Sequence, residues 1–185
     1  VGLNSNNPEA WLNYGKTASN LGRYEDALSC YEKALGLKAD YAEAAINKGA
    51  TLKELGRYEE AIEFAELALS INPKLAEAWS NKGVALKEIK RYEEAITQYD
   101  QALKLKPNYH DALINKGVAL QVLKRYEDAI AQYDHALMLN SESHEAWSNK
   151  GVSLQELRRY EEALIHFDKA IGLKPNYFEA LTNKA

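Results

Sequence analysis

Six asparagines recur at one spacing through a chain of 185 residues: Asn13, Asn47, Asn81, Asn115, Asn149 and Asn183. A carboxamide holds donors and an acceptor on one side chain, so each could pair with one amide unit of an extended polypeptide. Asn is an indifferent helix former that competes with the backbone for hydrogen bonds, and a packing column has no reason to keep it six times. Repeated along one face, such groups would form a ladder for main-chain recognition. The competing account is that Asn merely solvates its helix and was copied by duplication. Glu9, Glu43, Glu77, Asp111, Glu145 and Glu179 stand one helical turn earlier, where they complement helix N-termini. One turn later Val84, Val118 and Val152 would give an apolar floor, with Lys16 at the matching place in the first unit.

Little else suggests chemistry. His110, His135, His144 and His166 are scattered over different columns without a His-x-x-x-His spacing. His110 and His144 are equivalent in adjacent units, which invites a metal reading, but two ordinary residues at helix starts are the plainer account. Cys30 has no neighbouring basic motif. The recurring glycines lie inside helical patterns, so they make no phosphate loop. Arg23, Arg57, Arg91, Arg125 and Arg159 could pass for a phosphate strip. Each is followed by Tyr and two acids, which suits the dipoles of two successive helices instead. Lys48, Lys82, Lys116, Lys150 and Lys184 co-occur with Glu66, Asp100, Asp134 and Asp168. Their stems are expected to cover a helix seam, as exposed pairs contributing ~0–1 kcal/mol each. No nucleophile–base pair, metal or cofactor is expected. The chain does not read as an enzyme.

The elements that position these columns follow from an internal repeat. Arg-Tyr-Glu-(Glu/Asp)-Ala returns every 34 residues from Arg23 to Arg159, as do Gly15 to Gly151 and Ala34 to Ala170. Within a unit, Ala78, Trp79, Gly83, Leu86 and Ile89 form one helical stripe, and Ala95, Ile96, Tyr99, Ala102, Leu103 and Leu105 a second. Pro73, Pro107 and Pro175 follow helix ends. Asp40-Tyr41-Ala42-Glu43, Asn108-Tyr109-His110-Asp111 and Asn176-Tyr177-Phe178-Glu179 read as N-caps. The chain is thus a single array over 1–185. Repeats run 8–41, 42–75, 76–109, 110–143 and 144–177, with partial repeats at 1–7 and 178–185. Each full repeat is two antiparallel helices of about 14 residues.

Composition sets outer bounds. At 46% hydrophobic and 27% charged residues the chain is folded rather than disordered. A net charge of −4 disfavours nucleic acid, whose phosphates need clustered cations. One cysteine excludes an internal disulfide. No apolar run approaches the ~20 residues that span a membrane. A cytoplasmic location is favoured. Because the chain begins with Val1 rather than Met, its true N-terminus is expected to lie upstream.

These columns resemble the tetratricopeptide repeat (TPR). The family's Trp, Gly, Ala, aromatic, Ala and Pro pattern falls on Trp79, Gly83, Ala95, Tyr99, Ala102 and Pro107. The departures are Lys where the family usually has Leu, and Ala65 in place of the second-helix aromatic, with Phe64 beside it. The resemblance implies an all-α, right-handed superhelical solenoid whose first helices line a concave groove. It places the Asn column in that groove and implies a scaffold that binds a protein or an extended peptide segment. The family's basic clamp for C-terminal carboxylates is lost except for Lys16, so acidic chaperone tails are unexpected partners. Two alternatives accompany this reading. One is the substrate-recruiting segment of a larger enzyme, since similar arrays join an O-linked N-acetylglucosamine transferase. The other is self-assembly, head to tail, through uncapped ends.

Overall fold

The computed structural model describes residues 6–176 and 178–184. Eleven helices are found among them: α1 (Pro8–Asn20), α2 (Tyr24–Leu37), α3 (Ala42–Glu54), α4 (Tyr58–Ile71), α5 (Ala76–Glu88), α6 (Tyr92–Leu105), α7 (His110–Val122), α8 (Tyr126–Leu139), α9 (His144–Glu156), α10 (Tyr160–Leu173) and α11 (Phe178–Lys184). The described residues contain no strand. The fold is all-α, of the α-solenoid class. Residues 1–5 of the expected partial repeat 1–7, Tyr177, Ala185 and the side chains of Phe178, Glu179 and Lys184 lie outside the described residues.

The chain divides into two units, Val1–Glu94 and Ala95–Ala185. In the first, α1 packs on α2 and α3 on α4, and α2 and α4 each also pack on the helix that follows. In the second, α7 packs on α8, α8 on α9 and α9 on α10. One helix pair cannot bury its apolar face alone, so the next pair supplies the rest of the core. Ile46, Leu69 and Ala78 illustrate this in the first unit, and Ile114, Leu137 and Ala146 in the second.

Within a pair the sharp reversal is made by one left-handed residue. Gly22 and Gly56 have φ of 72°, while Lys90, Lys124 and Arg158 adopt 64°, 60° and 60° at the same place. The Arg23 N–H then donates to the Ala18 carbonyl and the Gly22 N–H to that of Ser19, closing the first helix. The next residue in each case is the arginine of the recurring phrase, and Arg23, Arg57, Arg125 and Arg159 take the N-cap position of the second helix. In the capping of the first helices the structure departs from expectation. The N-cap positions are Tyr41 and Tyr109, one residue after Asp40 and Asn108, and no side chain caps either helix. Side-chain caps occur at Asn7, whose Oδ1 accepts from Glu9 N and Ala10 N, and at Ser143.

The glycine column sits beneath aromatic rings. Tyr31, Tyr133 and Phe167 of the second helices are fully buried and lie against Gly15, Gly117 and Gly151. In the α3–α4 pair the ring is replaced by Ala65, and Gly49 faces the Ala61 carbonyl and Phe64 Cβ instead. The displaced aromatic, Phe64, lies under the Lys48 ammonium, 4.1 Å from its ring centroid.

Candidate functional site

The first helix of each pair turns one face inward, carrying residues such as Leu113, Gly117 and Leu120 of α7. The opposite face repeats a four-part stripe at helical spacing. On α3 it reads Glu43, Asn47, Ala50 and Glu54, and on α5 Glu77, Asn81, Val84 and Glu88. On α7 it reads Asp111, Asn115, Val118 and Val122, and on α9 Glu145, Asn149, Val152 and Glu156. In the first unit α1, α3 and α5 are neighbours through this series, and in the second α7 and α9. The acids are exposed, while Asn47, Asn81, Asn115, Asn149 and Asn183 are half-buried, as are Val84, Val118 and Val152. Asn13 on α1 is exposed. Sequence reasoning passed over the fourth band, Glu54, Glu88, Val122 and Glu156. Its signal is the same recurrence, seven residues after each Asn.

The carboxamides are held in definite ways. Asn47 Nδ2 donates to the Glu43 carbonyl at 2.7 Å and Asn115 Nδ2 to the Asp111 carbonyl at 2.9 Å. Asn81 Nδ2 is buried and has no hydrogen-bond partner. Lys16 is not a free cation. Its ammonium reaches across from α1 to Glu43 of α3, 3.1 Å away, and so neutralises one acid of the row. A recess of about 100 Å³ opens beside that pair, lined by Lys16, Ser19, Asn20, Asn47 and Thr51 among others. It has room for one small side chain. A larger apolar recess of about 540 Å³ runs along Ile165, Lys169 and Leu173 of α10, a second helix, and takes in none of the Asn column.

The remaining charged columns are committed to the fold. Each arginine pairs with the acid three residues on: Arg23 with Asp26, Arg57 with Glu60, Arg91 with Glu94, Arg125 with Asp128 and Arg159 with Glu162, all at 2.6 Å. Hydrogen bonds from Arg57, Arg91 and Arg159 hold the carboxyls of Glu60, Glu94 and Glu162 below their usual range. Guanidinium groups engaged this way form no phosphate strip.

The lysine column reaches back to the preceding second helix. Lys48 pairs with Glu32 at 2.7 Å, Lys82 with Glu66 at 2.8 Å, Lys116 with Asp100 at 2.7 Å and Lys150 with Asp134 at 2.6 Å. The expectation of exposed pairs needs correction on one side. The lysine side chains are only 10–19% exposed, because their stems fill the seam, while the acids stay in water.

His110 Nδ1 lies 3.2 Å from Asp111, and His144 Nε2 lies 3.4 Å from the Lys174 ammonium. Among the described residues no group of three or more His, Cys, Asp or Glu is placed to hold a metal ion. Cys30 is buried, and that burial pushes its thiol pKa up. No helix among the described residues is long and apolar enough to cross a membrane.

Comparisons with known proteins fit this picture. Family models described as tetratricopeptide repeat match residues 7–74, 76–109, 110–143 and 144–177. No curated protein sequence matches the chain. Among solved structures, one described as "YrrB: a TPR protein with an unusual peptide-binding site" is 25% identical, with a TM-score of 0.79 over 98% of this chain and 93% of that one. A crystal structure of MamA is 22% identical, with a TM-score of 0.80 over 93% of this chain and 94% of that one. MamA from Desulfovibrio magneticus RS-1 is 21% identical, with a TM-score of 0.83 over 95% of this chain and 99% of that one.

Proposed function

The chain belongs to the tetratricopeptide repeat family, and from that membership we propose that it is a protein-interaction scaffold that holds an extended peptide segment against the asparagine faces of its first helices. The observation that carries the reading is the state of the Asn row. Asn47 and Asn115 each donate to the carbonyl four residues back on their own helix, which sets the rotamer before any ligand arrives. Asn81 keeps a buried donor unpaired, and such a group costs stability until something accepts from it. Carboxamides at equal steps meet a peptide's repeating amide units, while Val84, Val118 and Val152 offer apolar contact beside them. The likeness to YrrB, described as a TPR protein with an unusual peptide-binding site, supports peptide binding as a use of this fold.

The test replaces Asn81, Asn115 and Asn149 together by Ala and measures binding of a peptide mapped from a captured partner. Stability should stay equal or rise, because Ala is the better helix former. Affinity should fall by about 0.5–1.5 kcal/mol per lost bond. A large loss of stability with unchanged affinity would make the row structural and refute the ladder.

A further inference from the structure

The charge left open on the second unit points to the chemistry of the bound segment. Resting on the peptide reading above, we propose that the α7–α9 face accepts a basic segment with Lys or Arg at every third position.

In the first unit Glu43, Glu54 and Glu88 are answered by lysines of the first helices themselves, while Glu9 and Glu77 have no ion pair among those found in the described residues. Lys16 pairs with Glu43, Lys53 with Glu54 and Lys87 with Glu88. In the second unit those three cation positions change character. Val118 stands where Lys16 would, and Gln121 and Gln155 stand where Lys53 and Lys87 would. The two lysines that α7 and α9 do carry, Lys116 and Lys150, are drawn behind the face to Asp100 and Asp134. Asp111 meets the ring of His110, and Glu156 accepts from the Tyr126 hydroxyl. Glu145 has no ion pair among those found in the described residues. The face therefore presents Asp111, Glu145 and Glu156 around Asn115, Asn149, Val118, Val152 and the half-exposed Val122, and neither lysine of α7 and α9 is turned toward these acids.

The spacing follows from element geometry. Packed helices lie ~8–10 Å apart, and a chain extended as polyproline II rises ~3.1 Å per residue with about three residues per turn, so that every third side chain returns to the same face. About three peptide residues thus separate Asp111 from Glu145 along a segment crossing both helices. A cation on every third residue meets both acids, while the backbone between them passes the two carboxamides. Complementary charge of this kind raises the association rate and selects against acidic competitors.

The experiment uses fluorescence anisotropy with three labelled nonapeptides. The periodic peptide is the triplet Lys-Ser-Val repeated three times. The block isomer has the same composition with all lysines first, then all serines, then all valines. The acidic peptide is the triplet Glu-Ser-Val repeated three times. The periodic peptide should bind with an affinity that falls as salt rises, the block isomer about fivefold more weakly, and the acidic peptide not measurably. Asp111→Asn with Glu145→Gln should weaken the periodic peptide about tenfold, since each pair is exposed and modest. These isosteric changes lie at exposed positions, and thermal melts verify that the fold persists. Equal binding of all three peptides, or no binding of the periodic one, would overturn the charge inference. If the acid variants bind normally while Asn115→Ala with Asn149→Ala binds weakly, the charge inference falls and the ladder stands. If neither double variant changes binding, both readings fall.

Discussion

A methyl group added at Gly117 would stand 2.5 Å from Cε1 and 2.7 Å from Cζ of the Tyr133 ring. That ring is fully buried, and its hydroxyl donates to Gln121 Oε1 at 3.0 Å. The glycine is therefore kept by the aromatic across from it and not by its own backbone angles, since α7 runs through it as ordinary helix.

This pairing gives a prediction with an internal control. Gly117→Ala should destabilise the second unit by about 1–3 kcal/mol, because the ring must move within a packed interior. Gly49→Ala should cost much less. Its new Cβ would meet the Ala61 carbonyl at 3.3 Å and no ring, and Ala gains up to ~1 kcal/mol in helix propensity over Gly. Denaturant melts of the two variants compare them directly. Equal losses would mean that the ring opposite the glycine does not matter.

Much of this architecture was legible because the chain supplies its own alignment. Gly15, Gly117 and Gly151 recur in step with Tyr31, Tyr133 and Phe167, and a column that never varies in size marks a close approach. The turn was less legible. Gly22 and Gly56 advertise a left-handed residue, but Lys90, Lys124 and Arg158 conceal it. Burial of the lysine stems was hidden for a related reason, since a long side chain can cover apolar surface while its charge stays in water. The Asn column is plain in the sequence. The identity of what it would bind is not encoded there, because pairing with main-chain amides is indifferent to the bound side chains.

The concealed turn residues lead to a stabilisation experiment. A non-glycine residue at φ near 60° carries a steric cost of ~1 kcal/mol that glycine avoids. Lys124→Gly should therefore raise stability by about 0.5–1 kcal/mol, and Gly56→Ala should lower it by a similar amount. A Cβ added at Gly56 would stand in open space, so contacts do not confuse that result. A loss on Lys124→Gly would indicate that the lysine side chain contributes more than its backbone strain removes.

The Lys150–Asp134 pair separates stem from charge. Lys150→Met keeps the buried stem and removes the ammonium, so it should cost no more than ~1 kcal/mol, with less effect at high salt. Lys150→Ala strips the seam between α8 and α9 as well, and should cost at least ~1 kcal/mol more. Thermal unfolding at two salt concentrations reads both. If Met and Ala prove equally damaging, the ion pair rather than the stem holds the seam.

His166 supplies a pH-dependent prediction. Its ring packs against Trp147 with centroids 5.3 Å apart, and Nδ1 lies 2.8 Å from the Glu162 carbonyl. Burial pushes its pKa below the ordinary histidine value of 6.5. The Glu162 carbonyl opposes that shift by hydrogen bonding, the Lys150 charge adds to it, and Asp134 and Glu162 also oppose it. A base with a depressed folded pKa binds its proton more readily when unfolded, so stability rises with pH across the interval between the two values. The contribution of neutral His166 is complete above about pH 6.5 and is lost as pH falls from there through the folded pKa. His166→Phe keeps the ring against Trp147 and removes the titration. The difference in unfolding free energy between the natural chain and this variant should be flat above neutrality and should grow in favour of the variant as pH falls below about 6.5. Glu60 and Glu94, whose folded values are depressed, lose their contributions below about pH 4.5 in both proteins and cancel in the comparison, while Glu162, held down in part by the His166 charge, titrates below the histidine interval. A constant difference across the histidine interval would show that the His166 ring gains its proton in the folded chain as easily as in water.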